Sequence, residues 1–176
     1  MIEVIKESLR SQFGAAIDTL TQVITLIPQS LWEQNTRYFY MAYHTTLMLD
    51  YYLTIPPSRF EASLPYKITD ASMVPPGVIG DMVPERMFTK NELLNYVADT
   101  REKCLMLIAA LTPVSVNDRF VEEFDDPGAM NYNLIEILLY NMRHVQHHAA
   151  QLNLMLRHDD NIAASWVFRS NDTGIS

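Results

Sequence analysis

Apolar residues near the start of the chain recur every three or four positions, which is the repeat of an amphipathic helix. This first apolar stripe consists of Ile2, Ile5, Leu9, Phe13, Ala16, Leu20, Val23 and Ile27. Pro28 follows the stripe directly, and a residue that precedes proline is disfavoured in the α region. The pattern therefore predicts a long first helix that ends at about residue 27.

The second helical segment has a different distribution of apolar residues. It begins at a cap, Asn35 or Thr36, and runs to about Leu53. Its sequence is apolar almost all round instead of along one face. A helix of this kind needs apolar neighbours on every side, so we expect it in the middle of the domain.

Two more segments complete the helical pattern. The third begins with Thr89–Glu92, which fits a capping box, and ends before Pro113. The fourth spans about residues 131–158 and follows a turn signal at residues 125–128. Four long helices and no convincing alternating strand predict an all-α fold, a four-helix bundle.

The connection between the second and third predicted helices, residues 54–88, is long and irregular. It contains six of the nine prolines of the chain, at positions 56, 57, 65, 75, 76 and 84. A segment of this kind is more often a lid or a binding loop than padding. It can also be a crossover that sets the handedness of the bundle. The two interpretations are compatible, and both stay open.

The length of 176 residues fits a single domain, because one core typically serves about 100–200 residues. We therefore expect one domain over residues 1–176, with residues 159–176 as an appendage to the bundle. In this tail Trp166, Val167 and Phe168 are expected to dock on the bundle.

Charge and cysteine content narrow the function. The chain has 13 Lys and Arg against 21 Asp and Glu, and no basic run, which disfavours nucleic-acid binding. The longest charge-free apolar stretch, Tyr38–Leu49, is shorter than the roughly 20 residues of a membrane span. The early Glu3 and Glu7 do not fit a secretory signal. A single cysteine, Cys104, excludes a disulfide framework and predicts an inert buried thiol. We expect a soluble cytoplasmic protein that acts on small molecules.

Histidines carry the candidate chemistry. His144 and His148 are one helical turn apart and differ by only about 40° in azimuth, so they can share a ligand. His147 points about 60° to the other side, toward the solvated face. The strip that holds His144 also holds Asn141 and Gln151, within about 60°.

His44 is the isolated histidine, in the middle of the apolar second helix. Taken alone, it is best interpreted as a core imidazole bonded to a carbonyl or to a tyrosine hydroxyl. Beside His144 and His148 it also completes a three-His metal site, since bundle sites are built from inward side chains on facing helices. Three neutral imidazoles bind Zn, Ni, Fe or Cu(II) and leave positions open for water or substrate. Both interpretations remain open on the residues alone.

Other side chains are weaker candidates. Arg37, Arg59 and Arg86 are candidates for an anionic substrate, although solvated surface arginines are the stronger interpretation. Asp50 faces away from the stripe of His44 and is better interpreted as a cap or an inter-helix partner than as a ligand or base. The sequence identifies no catalytic base.

Four stretches of the chain resemble the DinB-like superfamily of metal-dependent four-helix bundles. They are residues 40–44 around the second-helix histidine, 50–53, 89–94, and 142–154 with the spaced histidine pair. The resemblance implies that His44, His144 and His148 bind a divalent metal, Zn or Ni, with water completing the shell. One departure is Ala149–Gln151, where many relatives have Arg-Gly-Gln.

The resemblance also implies an activity. Characterised members depend on low-molecular-weight thiols, as in transferases that use bacillithiol and an isomerase that uses mycothiol, and the family typically forms homodimers. The hypothesis is therefore a metal-dependent S-transferase, or a hydrolase, that acts on a small electrophile with a thiol as cosubstrate. The alternative is a non-catalytic, metal-stabilised dimeric bundle with a binding or stress role. A bundle without metal is a third possibility.

Overall fold

The computed structural model describes residues 1–123 and 128–170. Over these residues the chain is mostly helical, which confirms the predicted all-α character in outline. The α-helices are α1 (Ile2–Leu26), α2 (Gln29–Gln34), α3 (Thr36–Tyr52), α4 (Lys90–Ala109) and α5 (Leu134–Asp160). The strands are β1 (Tyr66–Ile68), β2 (Met82–Pro84), β3 (Arg119–Val121) and β4 (Asn131–Asn133). No helix in the described ranges has both the length and the apolar character that a membrane crossing requires.

The four long helices begin and end close to the predicted positions, and side-chain caps account for their starts. The capping box of α4 is present, with Thr89 accepting from the Glu92 amide and Glu92 accepting from the Thr89 amide. Asn133 is the N-cap of α5, and its side chain accepts a hydrogen bond from the Glu136 amide at 2.9 Å. Asn161 is the C-cap, and its φ of 54° is the left-handed conformation common after a helix.

Packing places α3 in the interior, as its apolar sequence predicts. α1 contacts α4 and α5, and α3 contacts the same two helices. The buried residues of α3 lie on most sides of the helix: Tyr38, Phe39, Ala42, Tyr43, Thr45, Thr46, Leu47, Leu49, Asp50 and Tyr52. The pairing of α3 with α5 is the one that matters for the site, because these two helices carry the histidines.

Asp50 joins α3 to α4 inside the core. Its carboxylate accepts a hydrogen bond from the Tyr96 hydroxyl at 2.7 Å and one from the Lys103 ammonium at 2.5 Å. Lys103 also donates to the Thr54 hydroxyl at 2.6 Å. Burial and the Asp50 charge raise the pKa of Tyr96, so its hydroxyl stays a donor. The prediction that Asp50 is an inter-helix partner is confirmed.

The crossover segment, residues 54–88, is anchored to the helices at several points. Near its start, the Tyr43 hydroxyl donates to the carbonyl of Leu64 at 2.8 Å. At its end, the Trp32 indole donates to the carbonyl of Phe88 at 3.2 Å. Between these points β1 and β2 pair antiparallel, with Lys67 opposite Val83. The segment therefore has a defined path over α3.

The sequence shows no convincing alternating strand, but the described residues contain two short antiparallel strand pairs. β1 pairs with β2, and β3 pairs with β4 so that Phe120 lies opposite Tyr132. Each strand has three residues, which is too short for the alternation of apolar and polar positions to be recognised. The pairing of β4 also explains why α5 starts later than residue 131. Most of the predicted turn at residues 125–128 lies outside the described residues.

The tail docks on the bundle as predicted, but the rings of Trp166 and Phe168 take no part in the docking. Trp166 is 68% exposed and Phe168 79% exposed, and their rings contact each other at 6.3 Å instead of entering the core. The tail docks through polar contacts, with the Ser170 amide donating to the Ser11 carbonyl at 3.0 Å. Gly14 makes this possible, because a Cβ there would lie 2.6 Å from the Cβ of Ser170.

Candidate metal centre

Three histidines converge where α3 packs against α5. His44 comes from α3, and His144 and His148 come from successive turns of α5. One ring nitrogen from each residue can be chosen so that all three lie within 4.8 Å of one another. The Nε2 atoms of His44 and His144 are 3.2 Å apart. The structure thus brings together all three residues that the sequence singles out, and within the described residues the group contains no carboxylate or thiol.

The helix geometry separates His147 from this cluster, as its azimuth predicts. His148 is 9% exposed and lies against α3, with its ring 5.1 Å from that of His44. His147 is on the exposed side of α5. Its ring touches that of His148 at 5.0 Å but takes no part in the group of converging nitrogens.

Burial keeps the three imidazoles neutral. Burial, with a smaller effect of the neighbouring His148, lowers the pKa of His44 to about 4. It lowers the pKa of His144 to about 3, with added effects of the neighbouring histidines, and it lowers the pKa of His148 as well. Neutral rings are the form that binds a metal, because protonation occupies the lone pair that a ligand must offer.

Two of the three rings are oriented by hydrogen bonds to groups outside the cluster. The Nδ1 atom of His148 lies 2.7 Å from Oε1 of Gln151. An amide oxygen only accepts, so Nδ1 carries the proton and Nε2 offers its lone pair to the cluster. His44 has a hydrogen bond to the backbone of Ile79 in the crossover segment. The azimuth of Gln151 predicted that it shares the helix strip of His144. The sequence alone did not reveal its hydrogen bond to His148.

His144 is held by packing instead. Its buried Nδ1 atom has no hydrogen-bond partner among the described residues. The ring stacks on Tyr140, with the centroids 6.5 Å apart, and meets the ring of Tyr52 edge to face at 5.9 Å. Beside it, Asn141 donates to the carbonyl of Leu49 at 2.9 Å, which ties α5 to α3 at the level of the cluster.

The chemistry of this donor set selects among metals. Three neutral imidazole nitrogens suit Zn, Ni, Fe or Cu(II). Ca²⁺ and Mg²⁺ prefer oxygen ligands, which the group lacks among the described residues. Three protein ligands also leave coordination positions free for water or substrate. The residues present therefore fit a borderline divalent metal.

The surroundings of the cluster differ on its two sides. The segment around Gly77, where φ is 92°, lies on the strip of α3 that leads to His44. A Cβ at Gly77 would be 3.5 Å from Arg37 and 3.6 Å from Tyr40. On the other side, a surface groove of about 520 Å³ reaches His144 along α5. The residues that line this groove are Tyr140, Arg143, His144, Gln146, His147 and Ala150.

The weaker candidates from the sequence lie elsewhere. Arg37 and Arg59 are exposed, and Arg86 pairs with Glu92 and lies 4.2 Å from the ring centre of Phe88. Cys104 is 1% exposed, and burial raises the pKa of its thiol to about 12. This thiol is inert at neutral pH, as predicted.

The fold and the site together define a mostly helical protein with a buried three-His cluster between two of its long helices. Residues 40–152 match the family model of the DinB superfamily, so the chain belongs to that superfamily. The match includes all three histidines of the cluster. No curated protein and no solved structure gives a significant match to the chain.

Proposed function

We propose that this protein is a metal-dependent enzyme and that His44, His144 and His148 are the ligands of one divalent ion, Zn or Ni. The observation that carries the proposal is the convergence of three imidazole nitrogens within 4.8 Å. The lowered pKa values of the rings support it, since they keep the lone pairs available at neutral pH.

The residues around the cluster serve this role in distinct ways. Gln151 sets the tautomer of His148, and Tyr52 and Tyr140 fix the ring of His144 by apolar contact. Burial of the same rings limits the access of water from the side of α3. A divalent ion held there supplies a Lewis acid that polarises a bound oxygen or sulfur and lowers the pKa of a bound water or thiol.

The reaction proposed is the transfer of a low-molecular-weight thiol to a small electrophile, or the hydrolysis of such an electrophile. Membership of the DinB superfamily supports a thiol cosubstrate, because characterised members of this kind use one. The groove along α5 offers a route by which a small molecule reaches His144. We assign no general base.

The architecture proposed for the chain is a single-domain four-helix bundle, with residues 54–88 as its crossover. The mutual packing of the four long helices supports it, and so does one hydrophobic core that runs from Leu9 to Ala164. We further propose that the protein is a cytoplasmic homodimer. Analytical ultracentrifugation measures the oligomeric state directly.

Metal analysis tests the ligand assignment. Protein purified without added metal is expected to carry close to one equivalent of a divalent metal per chain. His144→Ala should reduce this to a trace, whereas His147→Ala, one position outside the cluster, should leave it unchanged. Equal metal content in the two variants would remove the assignment.

Turnover tests the enzymatic part separately. Metal-loaded protein is assayed against a panel of small electrophiles, with and without low-molecular-weight thiols, and His144→Ala serves as the inactive reference. Turnover that depends on His144 and on the thiol supports a transferase. Turnover that needs only water supports a hydrolase. Full metal occupancy without turnover would favour the non-catalytic, metal-stabilised bundle.

A further inference from the structure

A second cleft lies away from the histidine cluster, between the start of the crossover segment and β3. Its volume is about 370 Å³, within the range of small-molecule sites. The residues that line it are Tyr51, Pro57, Ser58, Phe60, Tyr66, Val121, Glu122 and Glu123. None of the three histidines lines it. Two features of its walls, aromatic rings and negative charge, indicate what it binds.

Three aromatic rings form one part of the wall. Tyr51 and Phe60 are nearly perpendicular, with an interplanar angle of 84° and centroids 5.2 Å apart. Tyr66 lies beside Phe60 with centroids 6.2 Å apart and an angle of 24°. All three residues are only half-buried, so part of each side chain is accessible. The faces of such rings carry partial negative charge and attract cations.

A fixed carboxylate forms the other part. Glu122 accepts from the Tyr51 hydroxyl at 2.7 Å and from the Met130 amide at 2.8 Å, one bond on each oxygen. Burial and the Glu122 carboxylate raise the pKa of Tyr51, so its hydroxyl remains a neutral donor. No Lys or Arg forms an ion pair with Glu122 or Glu123 within residues 1–123 and 128–170. The negative charge at the cleft is therefore held in place without a cationic side chain bonded to it.

We propose that this cleft binds a small organic cation of the quaternary or alkylated ammonium type. Partly accessible aromatic rings beside a carboxylate that has no cationic partner among the described residues offer such a cation both π-electron density and negative charge. A quaternary ammonium has no N–H to donate, and Glu122 already accepts a hydrogen bond on each oxygen. The match therefore depends on charge and on ring faces, which are the two properties that the cleft offers.

The proposed cation site goes beyond the metal-dependent function and does not depend on it. Tyr51 is seven residues after His44 on α3, about 10 Å along the helix axis. No residue that lines the cleft belongs to the cluster. Protein treated with a chelator is therefore expected to bind the cation as well as untreated protein does. A failure of the metal assignment would leave this result unchanged.

A matched pair of probes tests the proposal on the wild-type chain. Choline and its neutral carbon analogue 3,3-dimethylbutan-1-ol have nearly the same shape, so their difference in affinity measures the contribution of charge. Isothermal titration calorimetry is expected to show choline binding at least about 10-fold more tightly, because only the cation is attracted to the aromatic rings and to the Glu122 carboxylate. Equal affinities, or no choline binding, would overturn the proposal.

Variants then locate the site. Glu122→Gln and Phe60→Leu are each expected to weaken choline binding at least about fivefold while the circular dichroism spectrum stays that of the wild type. Glu61→Gln removes an exposed charge that does not line the cleft and should leave the affinity unchanged. If Glu122→Gln and Phe60→Leu both fold and bind choline like the wild type, the cation binds elsewhere and the assignment is wrong.

Sedimentation with phosphatidylcholine vesicles distinguishes a free organic cation from the same group on a lipid. Protein that binds choline but stays in the supernatant has a site for a free cation. Protein that sediments with the vesicles, and no longer does so as Glu122→Gln, uses the same cleft for a lipid headgroup. Sedimentation that Glu122→Gln does not change would contradict the role of the cleft at a membrane.

Discussion

Two polar clusters interrupt the apolar interior, and α3 contributes to both. At Asp50 a carboxylate meets an ammonium and a tyrosine hydroxyl, so opposite charges and hydrogen bonds compensate one another. At His44 three rings of the same kind face one another, and burial keeps all of them neutral. Two of the rings form hydrogen bonds to groups outside the cluster: His148 to Gln151, and His44 to the backbone of Ile79.

The difference separates a structural role from a binding role. The Asp50 cluster is complete within the protein, so its contribution is expressed in folding stability alone. The histidine cluster directs lone pairs toward a common centre, and a ligand that accepts them contributes the stabilisation. Each cluster should therefore respond to a different experiment.

The largest effect is expected from Asp50→Ala. It leaves the buried Tyr96 hydroxyl without its acceptor and the partly exposed Lys103 ammonium without its ion-pair partner, which together cost about 3 kcal/mol. The free energy of unfolding, measured in urea, should fall by that amount with or without chelator. Asp99→Ala, an exposed acid on α4, the helix that carries Tyr96 and Lys103, is the control and should change stability by less than about 0.5 kcal/mol. A loss below about 1 kcal/mol at Asp50 would mean that the cluster is not a structural link.

The second effect concerns metal-dependent stability. Free Zn²⁺ or Ni²⁺ at 100 times its dissociation constant should stabilise the wild type by about 2.7 kcal/mol, because the ion binds only the folded chain. His44→Ala should lose this increment, whereas Asp50→Ala should keep it if the two clusters are independent. Thermal unfolding in chelator and in added metal measures both. An increment that survives in His44→Ala would place the metal elsewhere.

The third effect is a change of affinity without loss of a ligand. Gln151→Leu removes the acceptor for His148 Nδ1 and should weaken metal binding about 10- to 100-fold, as is usual for partners behind a metal ligand. Competition with a chromogenic chelator measures it. Gln34→Leu, an exposed glutamine in α2, should leave the affinity unchanged. Equal affinities in the two variants would show that the hydrogen bond does not orient His148.

The smallest effect is a pH dependence in chelator-treated protein. The pKa of His44 is lowered to about 4 in the folded chain, so the unfolded chain binds more protons in the acid range. Stability is then full above about pH 6.5 and is lost as pH falls toward 4. Between pH 6.5 and 5.5 the wild type should lose about 1 kcal/mol more than His44→Gln. The same slope in both proteins would mean that His44 is not held neutral by burial.

The histidine cluster was predictable because two local signals pointed to it. The spacing of His144 and His148 places them on one face of any helix, and the apolar surroundings of His44 require a buried helix. In a small helical core, buried helical faces pack against one another. The superfamily resemblance indicated that His44 lies beside His144 and His148, which helical periodicity alone cannot show.

The remaining features depended on contacts distant in sequence. Three-residue strands carry no readable period, so the pairing of Phe120 with Tyr132 could not be predicted. Trp166 and Phe168 are apolar, but the polar docking of Ser170 beside Gly14 decides the course of the tail. The hydrogen bond between His148 and Gln151 depends on the side-chain rotamers, which the azimuth of the two residues on the helix does not determine.

The crossover segment has a consequence for any ligand that approaches His44. Hydrogen bonds fix the segment at Leu64 and at Phe88, and the stretch around Gly77 passes close to Arg37 and Tyr40. Ordering the backbone of one residue costs about 1–2 kcal/mol in conformational entropy. For this segment the cost is part of the free energy of folding and not of ligand binding. A ligand therefore binds next to a segment that is already ordered. Less of the free energy of its contacts is lost to ordering the protein, so its affinity is higher.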